Sequence, residues 1–264
     1  MKTILACTDF SSGSRNATRY AAHLAAALDA QLVLFHAAFI QGTSLPKKEE
    51  TEINAWLVLE ADELKKKFKI KVRTEVRAGL PVEEILGAAK RHNSGLVVTG
   101  AKETGAGSGL VGGLVYDLMH AALFPVLAVP MDYKFEPLHE IALAIDPNSR
   151  AEFNDDALLD IAESFHSLLT LTVVASPGTR DKTLRSAALV AVEYRYAEMV
   201  HRLNVVENES LEKGLNSAMK KTDAGLLAII PHRAHFMERM MHKTKTQKVL
   251  RNVTLPLLTL PRKK

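Results

Sequence analysis

An acid directly after an apolar run is the first feature of this chain that could do chemistry. Asp9 closes Ile4-Leu5-Ala6-Cys7-Thr8-Asp9. A carboxylate at the end of a buried strand can accept hydrogen bonds from a ribose or from a polar group on a base. A second apolar run, Gln31–Ala37, ends at His36-Ala37. A third, Leu96-Val97-Val98-Thr99-Gly100, leads into Gly105-Ala106-Gly107-Ser108-Gly109-Leu110-Val111-Gly112-Gly113. Glycines let backbone come close to a ligand, and N–H groups at such turns and at helix N-termini favour phosphate. Thr8-Asp9, His36-Ala37 and Thr99-Gly100 outline a nucleotide site, provided that one sheet edge gathers them.

Other constellations carry less. Gly107-Ser108-Gly109-Leu110-Val111-Gly112 matches a dinucleotide fingerprint in letters, but it follows the fourth strand, whereas that fingerprint belongs to a first strand–helix turn. No Gly-Lys-Ser/Thr occurs, so there is no Walker P-loop. His232, His235 and His242, with Glu238, have spacings open to a metal, and solvent-exposed histidines are the simpler reading. Cys7 lies inside a strand and reads as a small buried hydrophobe. Trp56, Leu57 and Leu59 read as packing residues, and Tyr194, Tyr196 and Met199 as core or interface. No base–nucleophile pair emerges, so no catalytic residue is assigned, and slow nucleotide cleavage or nucleotidyl transfer is left open.

The elements that must position these residues alternate strand and helix. Strands are expected at Thr3–Thr8, Gln31–Ala37, Lys71–Val76, Leu96–Thr99 and Val126–Val129. Helices follow from Ser11-Ser12 as an N-cap, over Glu49–Phe68, from Pro81, and over about 113–122. Ala17, Tyr20, Ala21, Leu24, Ala25 and Leu28 recur at helical spacing on one face. The second half repeats the order, with strands near 140–145, 168–174, 203–206, 226–230 and 257–260. Its helices are expected near 149–165, 181–201, 209–221 and 244–252.

Residues 95–130 and 226–261 look like one stretch written twice, 131 positions apart without a gap. Gly/Pro-to-Pro framing recurs, as Gly100 to Pro125 and as Pro231 to Pro256. A repeat this long means two copies of a domain. The expected division is 1–131, a Pro-bounded linker 132–138, and 139–264. Short apolar strands alternating with helices argue for parallel sheets covered on both faces. In the second copy His232, Arg233, His235, Glu238, Arg239, His242 and Lys243 stand where the first has glycines, and no glycine remains.

Composition is that of a soluble globular chain, 47% hydrophobic and 24% charged. No apolar run nears the ~18 residues of a membrane span, and Asp9 comes too early for a secretory signal. With one cysteine there is no disulfide framework. A cytoplasmic location follows as the expectation. Residues 231–264 hold nine Lys and Arg against one acid, a local field that could attract anions or simply be a solvated face. No basic helix interleaved with aromatics occurs, so no nucleic-acid partner is expected.

Ile4-Leu5-Ala6-Cys7-Thr8-Asp9-Phe10-Ser11, Gly79-Leu80-Pro81-Val82-Glu83-Glu84-Ile85, and Val98-Thr99-Gly100 through Pro125-Val126-Leu127 together resemble the universal stress protein family, in its tandem, two-domain form. The resemblance implies an α/β fold: two Rossmann-like (adenine nucleotide alpha hydrolase-like) domains, each a five-stranded parallel sheet flanked by helices. It also implies a stress-response binding protein rather than a dedicated catalyst. Some members bind ATP and others do not.

By that resemblance the nucleotide-binding positions are Thr8 and Asp9 for adenosine, Ala37 through its backbone, Gly100, Gly113 and Leu114 of the phosphate loop, and Thr99 and Val115 next to them. The family's phosphate loop runs Gly, two residues, Gly, nine residues, Gly, then Ser or Thr. Here those places hold Gly100, Glu103, Gly113 and Leu114, so one glycine is an acid and the hydroxyl is missing. In the second half Asp146 persists, with Pro231, Ala234, Thr244 and Lys245 at the loop positions, and no conventional ATP site is expected. The implied ligand is ATP or another adenine nucleotide, with magnesium. A nucleotide-independent scaffold acting through protein partners is the alternative. Both a monomeric pseudo-dimer and a homodimer fit the family.

Overall fold

The computed structural model describes residues 1–39, 45–101, 113–148, 152–230 and 255–263. Among these the chain separates into two compact units, the first ending at Phe135 and the second beginning at Glu136.

The first unit alternates β1 (Thr3–Cys7), α1 (Ser12–Ala27), β2 (Gln31–Ala38), α2 (Lys47–Phe68), β3 (Val72–Ala78), α3 (Pro81–Arg91), β4 (Leu96–Ala101), α4 (Gly113–Ala121) and β5 (Val126–Pro130). Its strands lie in the order β3-β2-β1-β4-β5, and every pairing is parallel. The chain steps outward from β1 to β3, then returns to the other side of β1 for β4 and β5. Right-handed crossovers therefore put α1 and α2 on one face and α3 and α4 on the other, and each of these pairs is in contact. Ile4, Leu5 and Ala6, Leu32 through Phe35, Leu96 through Val98 and Val126 through Val129 are fully buried, as a sheet covered on both faces requires. Ala17, Tyr20, Ala21, Leu24 and Ala25 form the inward stripe of α1, which Ser11 caps by accepting from the Ser14 N–H. Lys69, left-handed at φ 56°, ends α2, and Pro81 opens α3 at its first turn.

The second unit runs β6 (Glu140–Ile145), α5 (Asp156–Phe165), β7 (Leu168–Ala175), α6 (Arg180–Leu184), α7 (Ala187–Arg195), β8 (His201–Glu207), α8 (Leu211–Met219), β9 (Leu226–Ile229) and β10 (Leu257–Thr259). Its order, β10-β9-β6-β7-β8, repeats the first unit strand for strand, again parallel.

Three sequence expectations change. The helix expected from 149 begins only at Asp156, because Phe153 bridges Arg262 and Asn154 donates its N–H to the Pro261 carbonyl at 2.8 Å. The helix expected over 181–201 is two short ones, interrupted where Ser186 caps α7 by accepting from the Leu189 N–H, and His201 already belongs to β8. The 131-residue repeat is not gapless. Gly95 donates to the Thr3 carbonyl at 3.0 Å as Gly225 does to Glu140 at 2.9 Å, which pairs β4 with β9 at an offset of 130. Val97 donates to Pro125 as Leu227 does to Pro256, so the closing strands are offset by 131. Strands apolar on both faces give no alternation from which a one-residue slip could be read. The helix expected at 244–252 lies outside the described residues.

Candidate functional site

β1 delivers the chain to the C-terminal edge of the first sheet, next to the gap where the strand order turns back. Thr8 donates its N–H to the Phe35 carbonyl at 2.9 Å, the last rung of the β1–β2 ladder. The next rung is replaced: the Thr8 carbonyl accepts from Nδ1 of His36 at 2.8 Å. Alternation along β2 turns the Val33, Phe35 and Ala37 amides toward β1. The Ala37 N–H and C=O therefore face the space beyond the end of that strand.

The β1–α1 turn is tightly built. Asp9 is exposed, and its Oδ1 accepts from the Ser11 N–H at 3.1 Å and from the Ser11 hydroxyl at 2.5 Å. The Asp9 N–H donates to Ser14 Oγ at 3.2 Å, and the Phe10 N–H to Thr8 Oγ1 at 3.1 Å. Phe10 takes φ 62°, an uncommon conformation for a bulky residue. Its ring lies 4.9 Å from that of His36 and edge-on to Trp56 at 5.4 Å.

On the other side of the gap, Gly100 sits in β4 against the first turn of α1. A Cβ there would come within 2.9 Å of the Gly13 carbonyl oxygen. Gly113, Leu114 and Val115 form the first turn of α4, whose N–H groups lack intrahelical acceptors. Among the described residues nothing lies within 4 Å of a Cβ at Gly113. Leu114 is 39% exposed and Val115 is buried.

These pieces enclose a cavity of about 300 Å³. All eight positions expected from sequence, Thr8, Asp9, Ala37, Thr99, Gly100, Gly113, Leu114 and Val115, line it. Sequence reasoning missed Ser14, Phe35, Pro81 and Ile85, which close its floor and its α3 wall. Among the described lining residues Asp9 alone is charged, so the cavity's polarity comes from one carboxylate, a few hydroxyls and backbone amides. Cys7 lies at the floor, and burial pushes its thiol up to about 12, which keeps it protonated and unreactive. The Thr8 hydroxyl is engaged by the Phe10 N–H, by Ser14 Oγ at 3.3 Å and by Glu60 Oε2 of α2 at 3.4 Å, so it shapes the site more than it faces a ligand.

Several sequence candidates fall elsewhere. Glu103 and the glycines 105–112 lie outside the described residues, as do His232, Arg233, His235, Glu238, Arg239, His242 and Lys243. No group of His, Cys, Asp and Glu able to hold a metal occurs among the described residues. Leu57 packs in the core, but Leu59 is 66% exposed. Tyr196 is fully buried, whereas Tyr194 is 84% exposed.

The second unit keeps part of the turn. Asp146 Oδ1 accepts from the Asn148 N–H at 2.9 Å, as Asp9 does from Ser11. By the strand registers Ile145 stands in place of Thr8 and Ile230, not Pro231, in place of Gly100. An open hollow of about 790 Å³ lies beside β7 and α6, between Pro147, Ser176, Lys182 and Arg185.

A doubly wound parallel sheet with its cavity at the strand C-termini, where the order reverses, defines an α/β binding domain of the Rossmann-like class. Residues 1–130 match the model of the universal stress protein family, and the chain belongs to that family, its 264 residues fitting a tandem form. A universal stress protein from Archaeoglobus fulgidus is similar over 97% of both chains, with 18% identity and a TM-score of 0.77. One from Pseudomonas aeruginosa matches at 16% identity and a TM-score of 0.63, over 99% of this chain and 94% of that one. A universal stress protein in complex with cAMP matches 48% of this chain and 96% of its own, with 26% identity and a TM-score of 0.42. No curated protein matches the sequence. No helix among the described residues is long and apolar enough to cross a membrane.

Proposed function

We propose that the first unit binds an adenine nucleotide and that the chain acts as a stress-response binding protein. The observation that carries this reading is the convergence of Asp9, the Ala37 backbone and the first turn of α4 on one cavity of about 300 Å³. Each offers what one part of the ligand needs. The Ala37 N–H can donate to a ring nitrogen of adenine and its C=O can accept from the 6-amino group. Guanine carries an oxygen acceptor at that position and meets the carbonyl badly. The Asp9 carboxylate accepts from ribose hydroxyls. The α4 N–H groups and helix dipole favour phosphate. Magnesium brought with the nucleotide would supply counter-charge to the phosphates.

Calorimetric titration of the full chain with magnesium and ATP, with GTP as control, tests this. Binding of ATP in preference to GTP is expected. Asp9→Ala should weaken it about tenfold or more, since hydrogen bonds to a charged group contribute roughly 1.5–3 kcal/mol. Equal binding of GTP, or an unaffected Asp9→Ala variant, would place the ligand elsewhere. No binding at all would favour the scaffold that works through protein partners alone.

A further inference from the structure

Glu60 is the one acid in the inward stripe of α2, and the functional reading above leaves it without a role. Leu57, Ala61 and Leu64 are that helix's buried residues, and Glu60 falls between the first two at helical spacing. An apolar side chain is the ordinary occupant of such a position, and a half-buried carboxylate there needs a reason. Its oxygens are both engaged: Oε1 accepts from the fully buried Thr18 hydroxyl at 2.5 Å, and Oε2 from the Thr8 hydroxyl at 3.4 Å.

The second link leads to the binding turn. The Thr8 hydroxyl lies between Glu60 Oε2 at 3.4 Å and Ser14 Oγ at 3.3 Å. The charged carboxylate is the stronger draw for its proton, which leaves the oxygen lone pairs to accept from the Phe10 N–H at 3.1 Å. That bond helps hold Phe10 at φ 62° and so fixes the direction in which Asp9 leaves β1. Trp56, one helical turn before Glu60 and on the same face of α2, meets the Phe10 ring edge-on. One helix thus touches the turn twice, through a carboxylate on its hydroxyl and an indole on its aromatic ring.

We propose that Glu60 is a positioning residue of the nucleotide site, and that with Trp56 it clamps the Thr8-Asp9-Phe10 turn in its binding conformation. The proposal rests on the nucleotide reading of the cavity. Its effect reaches the ligand through Asp9, so losing the clamp and losing Asp9 must not be independent. A pre-formed turn spares the ligand the cost of ordering it.

The test is a double-mutant cycle read by calorimetric titration with magnesium and ATP. Glu60→Ala should weaken binding at least fivefold. Glu60→Gln, which keeps an oxygen acceptor, should stay within about twofold of wild type. In Asp9→Ala the further change Glu60→Ala should add little, because the contact it positions is already gone. Glu60→Leu puts an ordinary apolar occupant in that stripe and removes the same carboxylate, so it should give the Glu60→Ala loss, which serves if Glu60→Ala does not fold. Trp56 is the only tryptophan, so its emission should shift on nucleotide addition and shift less in Glu60→Ala. Losses that multiply in the double variant, or wild-type affinity in Glu60→Ala, would overturn the clamp while leaving the nucleotide site standing. A wild-type chain that binds no nucleotide would overturn both.

Discussion

Two glycines that belong to one motif on paper have different physical roles in the fold. Gly100 is the place where β4 touches the α1 backbone, with 2.9 Å between a would-be Cβ and the Gly13 oxygen. Gly100→Ala should therefore lower the urea stability of the chain by about 1–3 kcal/mol through overpacking, whatever the ligand state. Gly113, with no atom of the described residues within 4 Å of a Cβ, should accept alanine at nearly unchanged stability. Equal losses at both positions would contradict this division. Leu114 puts an apolar side chain where the family's loop has a hydroxyl. Leu114→Ser should tighten ATP by about 0.5–1.5 kcal/mol, the net value of one hydrogen bond, and leave adenosine affinity unchanged. Titration of both ligands separates a gained phosphate contact from a general change in the cavity. Thr8, Asp9 and Ala37 were legible in the sequence because each stands at the end of an apolar run. Glu60, Ser14 and Ile85 were not, because helical spacing can put a residue on an inward face without saying which part of the sheet that face covers.

Elements whose ends are fixed by local chemistry were read closely, and those fixed by distant contacts were not. α1 begins after the Ser11 cap and α3 begins at Pro81, as those residues dictate. α5 starts late because residues 152–154 pair with the far C-terminal segment around Pro261 and Lys263, which no local pattern announces. The start of α5 is also pinned by Asp155, almost fully buried. It accepts from Arg195 Nε at 2.6 Å and from the Tyr196 hydroxyl at 2.7 Å, with Arg195 Nη2 on its other oxygen. Burial alone would raise its pKa, but the Arg195 and Tyr196 hydrogen bonds outweigh that and hold the carboxyl below the usual carboxylate range. A depressed folded-state value means that its stabilisation is complete above the unfolded pKa of about 4 and is lost as pH falls through the folded one. Asp155→Ala should thus cost about 3 kcal/mol in urea at pH 7, the scale of a broken buried pair. The gap to wild type should narrow steadily below about pH 4. A gap that stays constant down to pH 3 would mean that the carboxylate charge is not what anchors the helix.

At the scale of the whole molecule, one topology is used twice with different chemistry. Both units have the same strand order and the same acid at the end of their first strand. The first keeps a hydroxyl and a glycine beside the acid, where the second has Ile145 and Ile230. The fold class was legible from alternating buried strands and helices, because the buried strands carry little but apolar residues. The offset between the halves was not, since those same strands conceal a one-residue slip. If only the first cavity takes an adenine nucleotide, a thermal melt of the full chain shows it. With magnesium and ATP at about 100 times the dissociation constant, the native state gains roughly 2.7 kcal/mol. For a chain of this size that moves the transition up by several degrees. The predicted result is a rise with ATP that is absent with GTP and abolished by Asp9→Ala, while Asp146→Ala retains it. An unmoved transition with ATP, or a shift that survives Asp9→Ala and disappears in Asp146→Ala, would contradict the account.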